Sequence, residues 1–266
     1  MNNIEQKEAQ FHDQWAEDTN LDQVYVDQAF ESISGPENRQ ILTWMGDLNG
    51  KKVLELGCGL GEASVYFAKK GAEVTSTDIS PKMIETAEKL ANLHGTSVKG
   101  LVVSANNLNN IPDNHFDYTY AGNLLHHVDI VKCITELKPK LKEGGQAFFW
   151  DPIAYNPVIN IYRSIATKVR TEDEHPLKRE DIENIKKVFS KVEIKYYWLT
   201  SLSVFLWYFA VKRIDPNKER YWKKILEDSD KLEPFLKLSQ EVDSFLFKWI
   251  PPLRYLAWNI VIKAQK

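Results

Sequence analysis

Apolar and polar positions along this chain repeat with two different periods. Short runs in which apolar residues crowd or alternate predict strands over Lys52–Leu56, Glu73–Thr77, Lys99–Val103, Asp117–Ala121 and Gln146–Trp150. Between several of them the spacing lengthens to that of a helix, over Glu62–Lys70, Pro81–Leu93 and Val128–Leu141. Alternation of this kind predicts βαβ units, and so a mostly parallel sheet with helices on both faces. Ser80-Pro81 gives one helix an N-cap and a proline at its first position. Gly144-Gly145 is expected to end a helix just before the fifth strand.

The flanks read differently. Residues 4–48 are polar and helical, with Phe11, Trp15, Val24, Phe30, Ile33, Ile41, Leu42 and Trp44 as the expected buried face. Gly35-Pro36 breaks this segment, and Pro36 suits the first turn of a helix running to about Leu48. Beyond Asp151, helices are expected over Asn156–Lys168 and Lys178–Phe189, and a strand over Lys191–Leu199. Nine of the eleven residues Ser201–Val211 are apolar or aromatic. Helices follow over about 217–228 and 233–249, then Pro251-Pro252, and Leu256–Ile262 reads as a last strand.

Composition narrows the class. At 266 residues, with 43% hydrophobic and 27% charged positions, the chain is expected to fold as one globular α/β domain with additions. Its parts are N-terminal helices over 1–48, a core over 49–151, and cap segments over 152–190 and 200–253. A net charge of −3 without a basic run leaves no electrostatic footprint for nucleic acid. Two cysteines, Cys58 and Cys133, make neither a disulfide framework nor a zinc motif. The first residues carry no apolar run, so a cytoplasmic location without a secretory signal is expected.

The chemistry concentrates where the first strand ends, at Glu55-Leu56-Gly57-Cys58-Gly59-Leu60-Gly61. Strand, glycine turn and helix start form a cradle in which a ligand approaches backbone atoms. Asp78 follows Gly57 by 21 residues, the spacing at which an acid on the next strand accepts hydrogen bonds from a ribose diol. A dinucleotide fingerprint needs its third glycine at position 62, where this chain has Glu62; Gly61 comes one residue early. Glu55, two residues before the first glycine, disfavours a pyrophosphate and suits a ligand with positive charge.

With Asp78 and the later Ile111-Pro112-Asp113-Asn114-His115-Phe116-Asp117, this stretch resembles the class I S-adenosylmethionine-dependent methyltransferases of the small-molecule type. The resemblance covers roughly residues 40–150 and the closing strands. It implies a Rossmann-like, doubly wound, seven-stranded and mostly parallel sheet with an antiparallel last strand, N-terminal helices and a helical cap insertion. It also implies S-adenosylmethionine as cofactor. Glu55, Gly57, Gly59 and Gly61 would face its methionine part, and Asp78 with Ile79 its ribose. Met83, Ala105 and Asn106 would lie beside the adenine. Ser104-Ala105-Asn106 stands where many members have Asp-Ala-Glu.

The acceptor side is expected at the rim of strands four and five, where Gly122-Asn123-Leu124-Leu125-His126-His127 follows strand four. Asn123 faces the cofactor in this reading. His126 or His127 is a candidate general base, needed if the nucleophile carries a proton at neutral pH; capping or packing is the alternative. Quinone-biosynthesis O-methyltransferases have Glu-x-x-Glu-His at the matching place and can use a divalent metal. This chain lacks both acids, so no metal is expected. Asp151, Asp173, Glu174 and His175 either converge with the two histidines or cap the helix that starts near Lys178, and capping is the favoured reading.

The aromatic run 198–211 is too short to span a bilayer, which takes about 20 residues. It is open to three readings: burial against the sheet or a homodimer partner, a lid over a hydrophobic acceptor, or peripheral membrane contact aided by Lys212-Arg213. The expected activity is methyl transfer to a small, apolar molecule. O-methylation is favoured, with N- or C-methylation and a cofactor-binding protein without turnover as alternatives.

Overall fold

In the computed structural model, which describes residues 3–166 and 174–266, seven strands form one sheet in the order β3-β2-β1-β4-β5-β7-β6. They are β1 (Lys52–Leu56), β2 (Glu73–Asp78), β3 (Lys99–Val102), β4 (Phe116–Gly122), β5 (Leu141–Pro152), β6 (Lys191–Tyr197) and β7 (Asn259–Gln265). The first five run parallel, and β7 lies antiparallel to both β5 and β6. From β1 the chain winds outward through β2 and β3, then returns to place β4 on the other side. This puts the topological switch, and the crevice beyond the strand ends, between β1 and β4.

Burial on both faces explains the near-continuous apolar strands. In β1, Leu54 and Leu56 join the core on one side, and Val53 joins the core on the other. The first core is closed by α6 (Ile130–Leu137) and α8 (Arg179–Val188), the second by α2 (Val26–Glu31), α3 (Pro36–Met45) and α4 (Glu62–Lys69). The helix start expected at Ser80-Pro81 is α5 (Pro81–Leu93), with the Ser80 hydroxyl accepting from Met83 N at 3.0 Å.

Several boundaries and one capping role differ from expectation. Gly144-Gly145 does not end a helix: α6 stops at Leu137, and β5 begins at Leu141 and carries both glycines. The last strand starts at Asn259, because Pro251–Leu256 winds into a 3-10 helix first. Glu174 and His175 do not cap α8. Asp181 accepts the Lys178 N–H at 2.8 Å and does that work from inside the helix. Asp173 and the end of the helix expected over Asn156–Lys168 lie outside the described residues; its described part is α7 (Pro157–Ile165).

The N-terminal segment α1 (Asn3–Glu17) packs on α5 near the strand ends. The cap insertion comprises α9 (Ser203–Ala210), α10 (Tyr221–Glu227) and α11 (Ser229–Trp249). Val204, Phe205 and Tyr208 of α9 are buried with Tyr221, Ile225 and Leu236 in a core of their own. Among the described residues no helix is long and apolar enough to cross a membrane.

Candidate active site

The turns after β1, β2, β4 and β5 open into one cavity of about 1070 Å³, roofed by α1 on one side and by the cap on the other. Glu55, Gly57, Gly59, Asp78, Ile79, Ala105, Asn106, Asn123, His126 and His127 all line it. Gly61 and Met83 do not. Met83 is fully buried with Ala16 and Leu60, under the cavity wall. Gly61 serves packing: at φ +94° a Cβ there would sit 2.6 Å from the Cβ of Ala87. The α4 N-terminus approaches α5 that closely only because the side chain is missing.

The other two glycines have separate reasons. Gly57 has φ +63° and would place a Cβ 2.6 Å from Leu124 Cδ1. Gly59, at φ +52°, meets nothing within 4 Å, so a Cβ there would project into open cavity. Its N–H donates to Asp78 Oδ2 at 3.0 Å, while Asp78 Oδ1 accepts from Ser80 N at 2.9 Å. Burial pushes the Asp78 carboxyl upward, and the backbone donors of Ser80 and Gly59 oppose this. Each oxygen keeps a second lone pair, the acceptor capacity that a ribose diol needs. Asn106 Oδ1 is buried without a hydrogen-bond partner among the described residues, on the wall expected beside adenine. Open space at Gly59, an acid at the tip of β2 and an unused acceptor at Asn106 fit an adenosyl ligand.

Glu55, expected as a carboxylate beside a cationic ligand, lines the cavity beside the glycine turn. It is 3% exposed, accepts a short hydrogen bond from the Ser64 hydroxyl, and burial pushes it up to about 8. At neutral pH it is mostly neutral, and it anchors the glycine turn to α4.

Helix α1 supplies contacts that the sequence pattern did not single out. Glu5 Oε1 accepts from Ser104 Oγ at 2.6 Å and Asn106 Nδ2 at 3.3 Å. Asp13 Oδ1 accepts from Ser80 Oγ at 2.5 Å and Lys82 N at 3.2 Å. Both acids are half-buried on a helix whose sequence is mostly polar, where a sequence reading sees only solvation.

At the rim of β4, His126 Nδ1 lies 2.7 Å from Asp151 Oδ1, with both side chains buried. Asp151 also accepts from Leu125 N and His126 N, each at 3.2 Å. Burial pushes its carboxyl upward and the backbone donors pull it down. At 2.7 Å, Oδ1 and Nδ1 are joined by one hydrogen bond. When the proton of that bond sits on Nδ1, Nε2 carries the lone pair of a base. His127 lies beside it, with ring centroids 4.1 Å apart and Glu8 Oε2 at 3.6 Å.

Glu174 joins this group. Nitrogen and oxygen atoms of His126, His127 and Glu174 lie within 4.8 Å of one another, and the His175 N–H donates to the His126 carbonyl at 2.8 Å. This is the convergent arrangement that the sequence left as the less favoured reading. A divalent ion would need the same three side chains. Arg163 holds Glu174 at 3.0 Å, and Asp151 holds the His126 Nδ1.

Residues 54–149 match the family model described as "Methyltransferase domain". Over 103 residues the chain is 34% identical to a ubiquinone biosynthesis O-methyltransferase of Idiomarina loihiensis, covering 38% of this chain and 42% of that protein. Over 123 residues it is 32% identical to the Pseudomonas syringae enzyme of the same name, covering 46% and 53%. The chain thus spans about half the length of the curated relatives it matches. Its fold is shared with a SAM-dependent methyltransferase from Archaeoglobus fulgidus (TM-score 0.56, 18% identity, 90% of this chain and 97% of that one). It is also shared with Haemonchus contortus phosphoethanolamine N-methyltransferase 2, solved with phosphomonomethylethanolamine and S-adenosylhomocysteine (TM-score 0.57, 18% identity, 86% and 52%).

Proposed function

We propose that the protein is a class I S-adenosylmethionine-dependent methyltransferase that methylates a small molecule with an apolar body, at an oxygen deprotonated by His126. The observation that carries the assignment of the base is the His126–Asp151 pair, buried at the rim of β4 and opening on the same cavity as the glycine turn and Asp78.

The cofactor supplies an electrophilic methyl group on a sulfonium, and the protein's part is to bind, orient and remove a proton. Asp78 would hold the ribose, with Ala105 and Asn106 beside the base and the backbone around Gly57 and Gly59 leaving room for the methionine part. Asp151 fixes the His126 ring, and the acceptor's proton passes to Nε2. Glu55 and the Ser64 hydroxyl hold the turn in shape.

The cap half of the cavity presents Ile159, Tyr162, Trp198, Ile225 and Trp258, a lining for an apolar or aromatic acceptor. The 198–211 segment supports burial and lid together, since its inner side chains pack under the cap. Its outer edge leaves Leu206, Phe209 and Val211 more than half exposed. Contact with a lipid surface or a second copy would run through that edge. Liposome co-sedimentation and analytical ultracentrifugation distinguish them.

The test is a labelled-methyl assay over phenolic, amine and carbon acceptors, with Asp151→Asn as comparison. On an accepted phenol the variant should bind S-adenosylhomocysteine normally and lose about 100-fold or more in turnover. Transfer to amines alone, or unchanged turnover in the variant, overturns the oxygen-and-base assignment.

A further inference from the structure

Among the described residues, three cations that line the cavity, Lys218, Arg220 and Lys223, have no salt bridge, and of these Arg220 alone is half-buried against an aromatic ring. Arg220, immediately before α10, lines the cavity with its guanidinium 4.6 Å from the centroid of the Trp15 ring. Among the described residues no carboxylate pairs with it, and its guanidinium makes no hydrogen bond. The contrast lies a few residues away. Arg163, in the same cavity, is held by Glu174, and Lys224 by Glu227 and Asp228.

A partly buried guanidinium without an acid is costly unless a ligand brings one. Stacking on an aromatic face leaves its edge of N–H donors free for a planar, bidentate partner, which is the geometry a carboxylate offers. Burial lowers its affinity for its proton, a sign that water does not fully solvate it.

Its position indicates which carboxylate. Trp15 packs against the cluster of Ala16, Met83 and Leu60, the last a residue of the glycine turn. Lys223, one turn further along α10, acts electrostatically on Glu62, the first residue of α4. The start of α10 therefore stands over the end of the cavity where the glycine turn leaves space, away from the Asn106 wall. We propose that Arg220 binds the amino-acid carboxylate of the cofactor, with Trp15 holding the guanidinium in place. The inference rests on the cofactor reading above and assigns the cap insertion a share in cofactor binding as well as in acceptor shape.

The experiment compares two ligands by calorimetry: S-adenosylhomocysteine, which carries the carboxylate, and 5′-methylthioadenosine, which lacks the whole amino-acid part. Arg220→Ala should bind S-adenosylhomocysteine about 10- to 100-fold more weakly and leave methylthioadenosine unchanged. Arg220→Lys should recover part of the loss, since it restores charge without the fork. Unchanged methylthioadenosine affinity also shows that the variant still folds around the nucleoside. Equal S-adenosylhomocysteine affinity in wild type and Arg220→Ala overturns this inference alone. Parallel losses for both ligands overturn it too, because the residue would then act on the fold. Wild-type protein that binds neither ligand overturns the cofactor reading and this inference with it.

Discussion

Replacing Glu55 by glutamine should stabilise the protein, and by an amount that grows with pH. The carboxyl is 3% exposed under the glycine turn, and burial moves it from an ordinary 4.5 to about 8. A carboxyl raised on folding binds more protons in the native state than in the unfolded one between those two values. Stability therefore falls as pH rises through that window. At about 1.4 kcal/mol per pKa unit, the burden is under about 1 kcal/mol at pH 5, about 3 at pH 7 and approaches 5 above pH 8. Glutamine carries no charge, and its amide oxygen can still accept from Ser64, the partner of Glu55 Oε2. Urea unfolding of both proteins at pH 5, 7 and 9 isolates this group, because every other titration cancels in the difference. The variant should gain about 4 kcal/mol over wild type between pH 5 and pH 9. A difference that stays flat with pH would refute the claim that Glu55 is held as a neutral acid.

Other outcomes follow from the same geometry. Gly61→Ala forces a Cβ to 2.6 Å from the Ala87 Cβ and should destabilise by about 2 kcal/mol or more in thermal or urea unfolding. Gly59→Ala has open space and should cost only about 1–2 kcal/mol of backbone strain, yet it should sharply weaken S-adenosylhomocysteine binding in calorimetry. Glu37→Leu leaves the Trp198 Nε1 and Asn259 Nδ2 donors, now at 2.7 and 2.6 Å from its carboxylate, without an acceptor. A loss of about 2–5 kcal/mol is expected in urea unfolding.

The parts of this fold that the sequence made legible are those whose signals are local. Ser80-Pro81 marked the start of α5 to the residue, and the alternation of strands and helices marked the parallel sheet. Glycine turn and Asp78 were found because their spacing is set by one βα unit. What stayed hidden depends on contacts across the chain. Glu5 meets Ser104 from 99 positions away, and Trp198 meets Glu37 from 161. No periodicity reports such pairs. Gly61 was legible as a turn glycine but not as the point where two helices touch. Asp181 accepts the Lys178 N–H at the start of α8, while Glu174 faces the histidines. The Arg220–Trp15 contact joins α10 to the first helix, and neither residue carries a motif.

A crystal structure of the wild-type protein with S-adenosylhomocysteine tests the central claim most directly. The account predicts ribose hydroxyls on the Asp78 carboxyl, adenine beside Ala105 and Asn106, and the sulfur on the side of the cavity that His126 faces. A nucleoside seated elsewhere, or a sulfur turned away from the His126–Asp151 pair, would contradict it.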